Sequence, residues 1–172
     1  DVGPVIDAAA CAALEQHAQR MNTLGRRVHA APLPAECALG HFFAPRVFEI
    51  ERLDLLTAEV FGPILHVIRY DANALDAVIE AINATGYGLT LGVHSRIEST
   101  WKRVRERARA GNLYINRNMI GAVVGVQPFG GEGLSGTGPK AGGPHYLPRF
   151  AVERTVTVNT AAIGGNTDLL RK

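Results

Sequence analysis

Residues 64–94, ILHVIRYDANALDAVIEAINATGYGLTLGVH, decide the fold class of this chain. Residues 64–70 form a short apolar run rich in branched side chains, which is typical of a buried strand. Residues 74–84 predict an amphipathic helix, because their apolar residues recur at helical spacing. These residues are Leu75, Val78, Ile79 and Ile82. Residues 89–94 predict a second strand.

The same pattern continues along the chain. Asn73 can cap the helix over residues 74–84, and Gly86 can end it. Residues 98–110 then predict a second helix, and residues 112–116 a third strand. Strands and helices that alternate with short connections form right-handed crossovers and a parallel sheet. The predicted fold class is therefore α/β, with a parallel sheet and flanking helices.

Segments on either side of this unit give weaker signals. Residues 8–24 predict a helix that Gly25 ends, with an apolar stripe. The stripe consists of Cys11, Leu14, Ala18 and Met21. Residues 32–40 are typical of a loop, and residues 41–50 predict short strand pieces around a proline. Residues 152–158, VERTVTV, alternate polar and apolar side chains and predict a further strand that pairs elsewhere.

Composition restricts the functional class. The chain has 172 residues, of which 47% are hydrophobic and 20% charged, so it can bury a core. Its net charge of +2 is too small to indicate a polyanionic partner. Cys11 and Cys37 form no disulfide framework, which favours a reducing, cytoplasmic compartment. We expect no membrane span, and the histidines lack the paired spacings of zinc sites. The absence of an initiator methionine favours a segment of a longer polypeptide.

A glycine-rich loop covers residues 122–144, AVVGVQPFGGEGLSGTGPKAGGP. Gly131, Gly133 and Gly136 spell G-x-G-x-x-G, but no helix can follow through so many glycines and prolines, so a dinucleotide fingerprint is disfavoured. Two interpretations remain open. The loop, with Gly121 and Ala122 ahead of it, presents backbone N–H groups to an anionic substrate, or it is a rigid turn without chemistry.

Two further features carry charge. Glu59 precedes Phe61 in EVFGP, where a carboxylate can accept hydrogen bonds from ribose hydroxyls and a ring can cover a heterocycle; the alternative is a solvated carboxylate at a helix end. A basic run surrounds Trp101: Lys102, Arg103, Arg105, Arg107 and Arg109. We interpret this run as the solvated face of one helix rather than a nucleic-acid site.

Four motifs, in order, resemble the C-terminal part of the aldehyde dehydrogenase family. They are EVFGP (59–63), YGLTLGVHSR (87–96), GNLYINRN (111–118) and QPFGGEGLSGTGPKAGGP (127–144). The resemblance is greatest to the glutamate-semialdehyde (pyrroline-5-carboxylate) dehydrogenase module of the bifunctional proline utilization A proteins. It covers nearly the whole chain.

The resemblance implies NAD-dependent oxidation of L-glutamate γ-semialdehyde to glutamate in proline catabolism. Glu59 matches the residue that holds the nicotinamide ribose, and Phe61 the aromatic residue beside the nicotinamide. Gly121 and Ala122 match the positions whose amides bind the substrate carboxylate, and Phe129 matches the ring packed on its aliphatic chain. The cofactor implied is NAD.

The resemblance also implies what this segment lacks. In the family, the cysteine nucleophile, the oxyanion donor, the general base and the Rossmann domain precede such a segment. We therefore expect residues 1–149 to be a partial catalytic domain and residues 150–172 an oligomerisation strand and tail. Expected partners are the remainder of the parent enzyme, the semialdehyde and further copies in a homo-oligomer. The alternative is a non-catalytic domain that keeps the family fold for oligomerisation.

Overall fold

The computed structural model describes residues 2–120, 122–123, 125–136 and 138–159. The chain divides into two compact units. The first consists of Asp1–Ile120 and Gly131–Thr137, and the second of Gly121–Gly130 and Gly138–Lys172. The glycine-rich loop is thus shared, since residues 131–137 return to the first unit. The boundary predicted between residues 149 and 150 stays a prediction.

The first helix, α1, spans Ala8–Leu24 and confirms the predicted range. The Asp7 carboxylate accepts a hydrogen bond of 2.7 Å from the backbone N–H of Ala10 and caps the helix. Three residues of the predicted stripe are buried: Leu14, Ala18 and Met21. Gly25 ends the helix as predicted, but in an extended conformation that starts the next strand directly.

A three-stranded sheet packs beside α1. Its strands are β1 (Gly25–Ala30), β2 (Arg46–Ile50) and β3 (Ile64–Val67). β2 lies in the middle, antiparallel to β1 and parallel to β3. The buried residues that join sheet and helix are Leu14, Ala18, Met21, Phe43, Phe48 and Ile50. β1 had no sequence signal, because its residues GRRVHA are mostly polar and exposed, as an edge strand allows.

The following elements give the regular part of the unit. They are α2 (Leu75–Ala84), β4 (Tyr87–Gly88), β5 (Thr90–Val93), α3 (Glu98–Arg107), β6 (Asn112–Ile115) and β7 (Glu132–Gly133). β5 and β6 are parallel neighbours, which confirms the predicted crossover through α3. β4 pairs antiparallel with β7. None of the described helices is both long and apolar enough to cross a membrane.

The sheet differs from the prediction in its continuity. We expected one parallel sheet through residues 64–116, but β3 pairs with β2, and β5 pairs with β6. The described strands therefore form three small sheets of mixed direction. The periodicity of residues 64–116 predicted β3, α2, β5, α3 and β6, although α3 ends at Arg107 and the short strand β4 was not predicted. It carried no information about β2, which precedes the repeating unit and pairs with β3.

The ends of α2 show one correction and one confirmation. Asn73 does not cap the helix: its own backbone N–H donates to the Asp71 carboxylate at 2.8 Å, inside a 3-10 turn that leads into α2. Asp71 is thus the capping side chain of this turn. Gly86 follows the end of α2 with φ of +75°, a left-handed conformation that favours glycine.

The second unit contains little regular structure. Phe129 and Ala141 form a two-way backbone bridge, and Leu147–Phe150 form a 3-10 turn. The strand predicted over 152–158 is not formed: residues 151–159 are exposed and have no regular secondary structure. A strand is stable only beside a neighbour that pairs its N–H and C=O groups. Its predicted oligomer role stays a prediction, and residues 160–172 of the predicted tail lie outside the described residues.

Candidate active site

A cleft of about 680 Å³ in the first unit is lined by both Glu59 and Phe61. Four stretches that are distant in sequence contribute to it. They lie within residues 53–61, 82–91, 109–110 and 134–135. The side chains are mainly apolar, with a few polar groups, which is the usual composition of a ligand cleft. The fold therefore places the two residues predicted to contact a nucleotide in one concave surface.

The path of the EVFGP turn is set by α1. A Cβ atom on Gly62 would lie 2.3 Å from the Cδ2 atom of Leu14, which is buried in the core. Only glycine lets the turn pass this close to the helix. Glu59 and Phe61 consequently stay on the outside, with Glu59 exposed and the Phe61 ring 80% exposed. An exposed ring in a cleft is available to a flat ligand.

The glycines of residues 131–136 pack backbone against backbone. A Cβ on Gly133, whose φ is +58°, would lie 2.4 Å from the carbonyl oxygen of Gly86. A Cβ on Gly131 would lie 2.9 Å from the carbonyl oxygen of Gly88. These close approaches explain the G-x-G-x-x-G spacing, because only residues without a side chain let β7 contact β4. Residues beside this contact form one wall of the cleft.

Sequence reasoning predicted only Glu59 and Phe61 among the residues that line the cleft, and those it missed include Arg109, Leu134 and Ser135. Leu134 and Ser135 lie in the glycine-rich loop, which we expected either to bind the substrate or to be a rigid turn without chemistry. Arg109 belonged to the basic run that we interpreted as a solvated face. The tight glycine spacing showed that some backbone approaches closely there, but spacing alone could not show that the partner is β4.

The residues predicted to hold the substrate carboxylate belong to the second unit. Ala122 is half-buried, and no described residue accepts a hydrogen bond from its backbone N–H. Gly121 lies outside the described residues. Phe129 is 38% exposed. Its backbone N–H donates to the Ala141 carbonyl oxygen at 3.0 Å, and its carbonyl oxygen accepts from the Ala141 N–H at 2.8 Å. The Phe129 backbone is thus fixed while its side chain stays partly accessible.

Asn116 begins the polar segment that precedes this anchor. Its side-chain oxygen accepts from the backbone N–H of Ser95 at 2.9 Å, and its amide donates to the Ser95 carbonyl at 3.0 Å. Asn116 has φ of +54°, the one described non-glycine residue with positive φ. Arg117 follows, with its guanidinium 4.9 Å from the centroid of the Tyr114 ring. Asn116 therefore ties together the carboxyl ends of β5 and β6.

The two thiols do not line the cleft. Cys11 is half-buried on α1, where its Sγ–H donates to the carbonyl oxygen of Phe42 at 3.8 Å. Cys37 lies half-buried in the 3-10 turn Ala35–Leu39. Within the described residues, no three histidine, cysteine or carboxylate side chains cluster as metal ligands.

The basic side chains of α3 are largely paired with carboxylates. The pairs are Lys102–Glu98 at 2.8 Å, Arg103–Asp76 at 3.4 Å, Arg107–Asp76 at 2.8 Å, Arg107–Glu80 at 3.0 Å and Arg105–Glu106 at 3.5 Å. Such pairs between exposed side chains contribute little stability but cancel the local positive field. The helix therefore has the solvated face that the sequence predicts, and the structure adds that carboxylates balance its positive charge.

Three side chains with shifted pKa values, His17, His66 and Glu49, lie outside the cleft. The Nε2 atoms of His17 and His66 are 3.0 Å apart, and burial lowers the pKa of both rings below the ordinary histidine value. Glu49 accepts hydrogen bonds from Arg69 and Arg26, which lower the pKa of its carboxyl. Glu49 and both arginines line a second cleft of about 640 Å³, where the carboxylate offsets part of the positive charge.

The aldehyde dehydrogenase family profile matches residues 1–156. This chain belongs to the aldehyde dehydrogenase family. The bifunctional protein PutA of Rhizobium meliloti is 56% identical over 156 residues, which cover 91% of this chain and 13% of that protein. A 1-pyrroline-5-carboxylate dehydrogenase of Geobacillus is 37% identical over 158 residues, which cover 91% of this chain and 30% of that protein.

Solved structures agree with this assignment. A crystal structure of a Bradyrhizobium japonicum proline utilization A (PutA) mutant superposes with a TM-score of 0.86 at 61% identity, over 94% of this chain and 16% of that one. Thermus 1-pyrroline-5-carboxylate dehydrogenase with bound NAD gives 0.76 at 39% identity, over 86% and 28%. The chain thus spans a minor part of each relative, and the α/β fold class is confirmed.

Proposed function

We propose that this chain is part of an NAD-dependent dehydrogenase that oxidises L-glutamate γ-semialdehyde to glutamate. In this proposal it supplies one wall of the nicotinamide site and the substrate-carboxylate anchor. The observation that carries the proposal is the cleft that Glu59 and Phe61 line together. The PutA and 1-pyrroline-5-carboxylate dehydrogenase relatives support the substrate class, and the NAD-bound Thermus relative supports the cofactor.

The cleft residues suit the nicotinamide end of NAD. A carboxylate such as Glu59 can accept two hydroxyl hydrogen bonds from a ribose, and charged acceptors make strong hydrogen bonds. Phe61 offers a largely exposed ring against which a flat heterocycle can lie. NAD, when bound, supplies the hydride acceptor. The work of Glu59 and Phe61 is to fix the orientation of the ring and to exclude water from one side of it.

The anchor residues suit an anionic substrate group. The Ala122 N–H has no acceptor among the described residues, so it is available to a carboxylate in this proposal, together with Gly121. Neutral amide donors that are already oriented stabilise an anion without a reorganisation cost. Phe129 then packs against the aliphatic carbons of the substrate. We assign the thiol nucleophile and its general base to parent residues outside this chain, since Cys11 and Cys37 do not line the cleft.

Steady-state kinetics of the parent enzyme test this proposal. We expect NADH to form from pyrroline-5-carboxylate and NAD. The Glu59→Gln variant removes a charged acceptor, so its KM for NAD should rise about tenfold, as expected for loss of a charge-assisted hydrogen bond. The exposed Glu36→Gln variant is the matched control and should leave the KM unchanged. An inactive parent that still assembles into an oligomer would instead support the structural alternative.

A further inference from the structure

The peptide group of Gly88 connects two parts of the cleft wall. Its N–H donates to the hydroxyl oxygen of Ser135 at 3.0 Å. Its carbonyl oxygen accepts from the backbone N–H of Gly111 at 2.9 Å. Gly88 is buried, so water cannot readily replace either partner. The wall that contains β4 is therefore held on one side by a side chain and on the other by backbone.

Ser135 is itself held in one position. Its N–H donates to the carbonyl oxygen of Glu132 at 3.0 Å, within the turn that follows β7. The neighbouring Leu134 N–H donates to the carbonyl oxygen of Gly86 at 2.9 Å. A Cβ on Gly131 would lie only 2.8 Å from the Ser135 Cβ. With its backbone bonded and its side chain closely packed, Ser135 presents its hydroxyl to Gly88 at a fixed place.

We propose that Ser135 is a positioning residue for the cofactor cleft. It lines the same cleft as Glu59 and Phe61, and it acts through Gly88 by fixing the wall that β4 and Leu89 form. This inference rests on the proposed function, because it holds that Ser135 fixes the position of the cleft wall that the nicotinamide contacts. Without the hydroxyl, a buried N–H loses its acceptor, and such a group forces the backbone toward water or another partner.

The role predicts an effect confined to one substrate. Displacement of β4 alters the cleft but leaves the anchor residues, which belong to the other unit, chemically unchanged. If Ser135 merely stabilised the protein, its replacement would lower the thermal midpoint and leave both KM values unchanged. The ratio of the KM for NAD to the KM for the aldehyde therefore distinguishes a positioning role from a purely stabilising one.

The experiment uses the parent enzyme with Ser135→Ala, Ser135→Cys and the exposed control Ser99→Ala on α3. For Ser135→Ala we expect the KM for NAD to rise about tenfold, as expected for an unpaired buried N–H. The KM for pyrroline-5-carboxylate should stay within about twofold. The cysteine variant keeps a weak acceptor at the same place and should lie between wild type and alanine. Ser99→Ala should match wild type.

Other results would overturn the inference. These are an unchanged KM for NAD in Ser135→Ala, an equal rise in both KM values, or a cysteine variant no better than alanine. If Glu59→Gln raises the KM for NAD while Ser135→Ala does not, the proposed function stands and the role of Ser135 is wrong. If Glu59→Gln has no effect, the assignment of the cleft to NAD is wrong and the inference falls with it.

Discussion

At the scale of single residues, this chain uses glycine where two backbones must meet. Gly62 lets the EVFGP turn cross Leu14, and Gly133 lets β7 reach the carbonyl of Gly86. These contacts hold two segments of the cleft, but the glycines themselves contribute no chemical group to it. A cluster of glycines can thus support a ligand site indirectly, by allowing side chains such as Ser135 to reach their positions.

Gly133→Ala should destabilise the chain strongly. The new Cβ would lie 2.4 Å from the Gly86 carbonyl oxygen, at a backbone φ of +58° that alanine rarely adopts. We expect a loss of at least about 2 kcal/mol in the free energy of unfolding, measured by urea titration. Gly138→Ala is the matched control, since nothing lies within 4 Å of its Cβ position, and it should change stability by less than about 0.5 kcal/mol. Equal effects would contradict this account.

At the scale of elements, a pair of histidines joins α1 to β3. The rings of His17 and His66 meet edge to face, with centroids 5.1 Å apart, and their Nε2 atoms share a hydrogen bond. One ring must be neutral to accept that bond. Burial lowers the pKa of His17, and the nearby charge of Arg20 lowers it further. Burial also lowers the pKa of His66, followed by the effect of His17.

These shifts predict that acid weakens the packing of α1 on the sheet. Because the folded pKa values lie below the unfolded value of about 6.5, the stabilisation is present above about pH 6.5. It is lost as the pH falls through the folded values. The thermal midpoint, followed from about pH 8 to about pH 5, should therefore fall on acidification. The His66→Gln variant should flatten this pH dependence, whereas the control His145→Gln, at an exposed position, should preserve it. The reverse result would rule out the histidine pair as the cause of the pH dependence.

At the scale of the whole molecule, the charge is small, and the basic side chains of α3 are balanced by carboxylates of the described residues. The net charge is +2, and on α3 the arginines face carboxylates of α2 and of their own helix. Nucleic-acid affinity grows with the number of cations that are free to displace counterions from phosphates. The molecule therefore has little capacity for such binding through α3, despite the basic run in its sequence.

We expect the chain to pass through a DNA column at about 0.15 M salt without retention. A variant with Asp76→Asn and Glu80→Gln frees Arg103 and Arg107 from their partners. This variant should gain weak retention that disappears as salt increases. Salt-dependent retention of the unmodified chain would contradict the balanced-charge account and would favour a nucleic-acid role for α3.

The sequence predicted elements whose signals are local. The stripe of α1 and the periodicity of α2 are set by neighbouring residues, and the structure confirms both. Glu59 and Phe61 were predicted from one short motif and its resemblance to the family, and their role as cofactor contacts stays a prediction. In contrast, β1 has a polar sequence and depends on β2 for its pairing. The role of Ser135 depends on Gly88, 47 residues away, and no periodicity or spacing records which segments meet over such a distance.

The distance between Ser135 and Gly88 has a consequence for the order of folding. The β5–α3–β6 unit closes over a short loop, whereas β4 and β7 must find each other across the intervening chain. Closing longer loops costs more entropy, so non-local pairings form late. We expect amides of β5 and β6 to gain protection from hydrogen exchange early in refolding, and the Gly88 amide to gain it last. The cleft would then bind cofactor only after the final stage of folding.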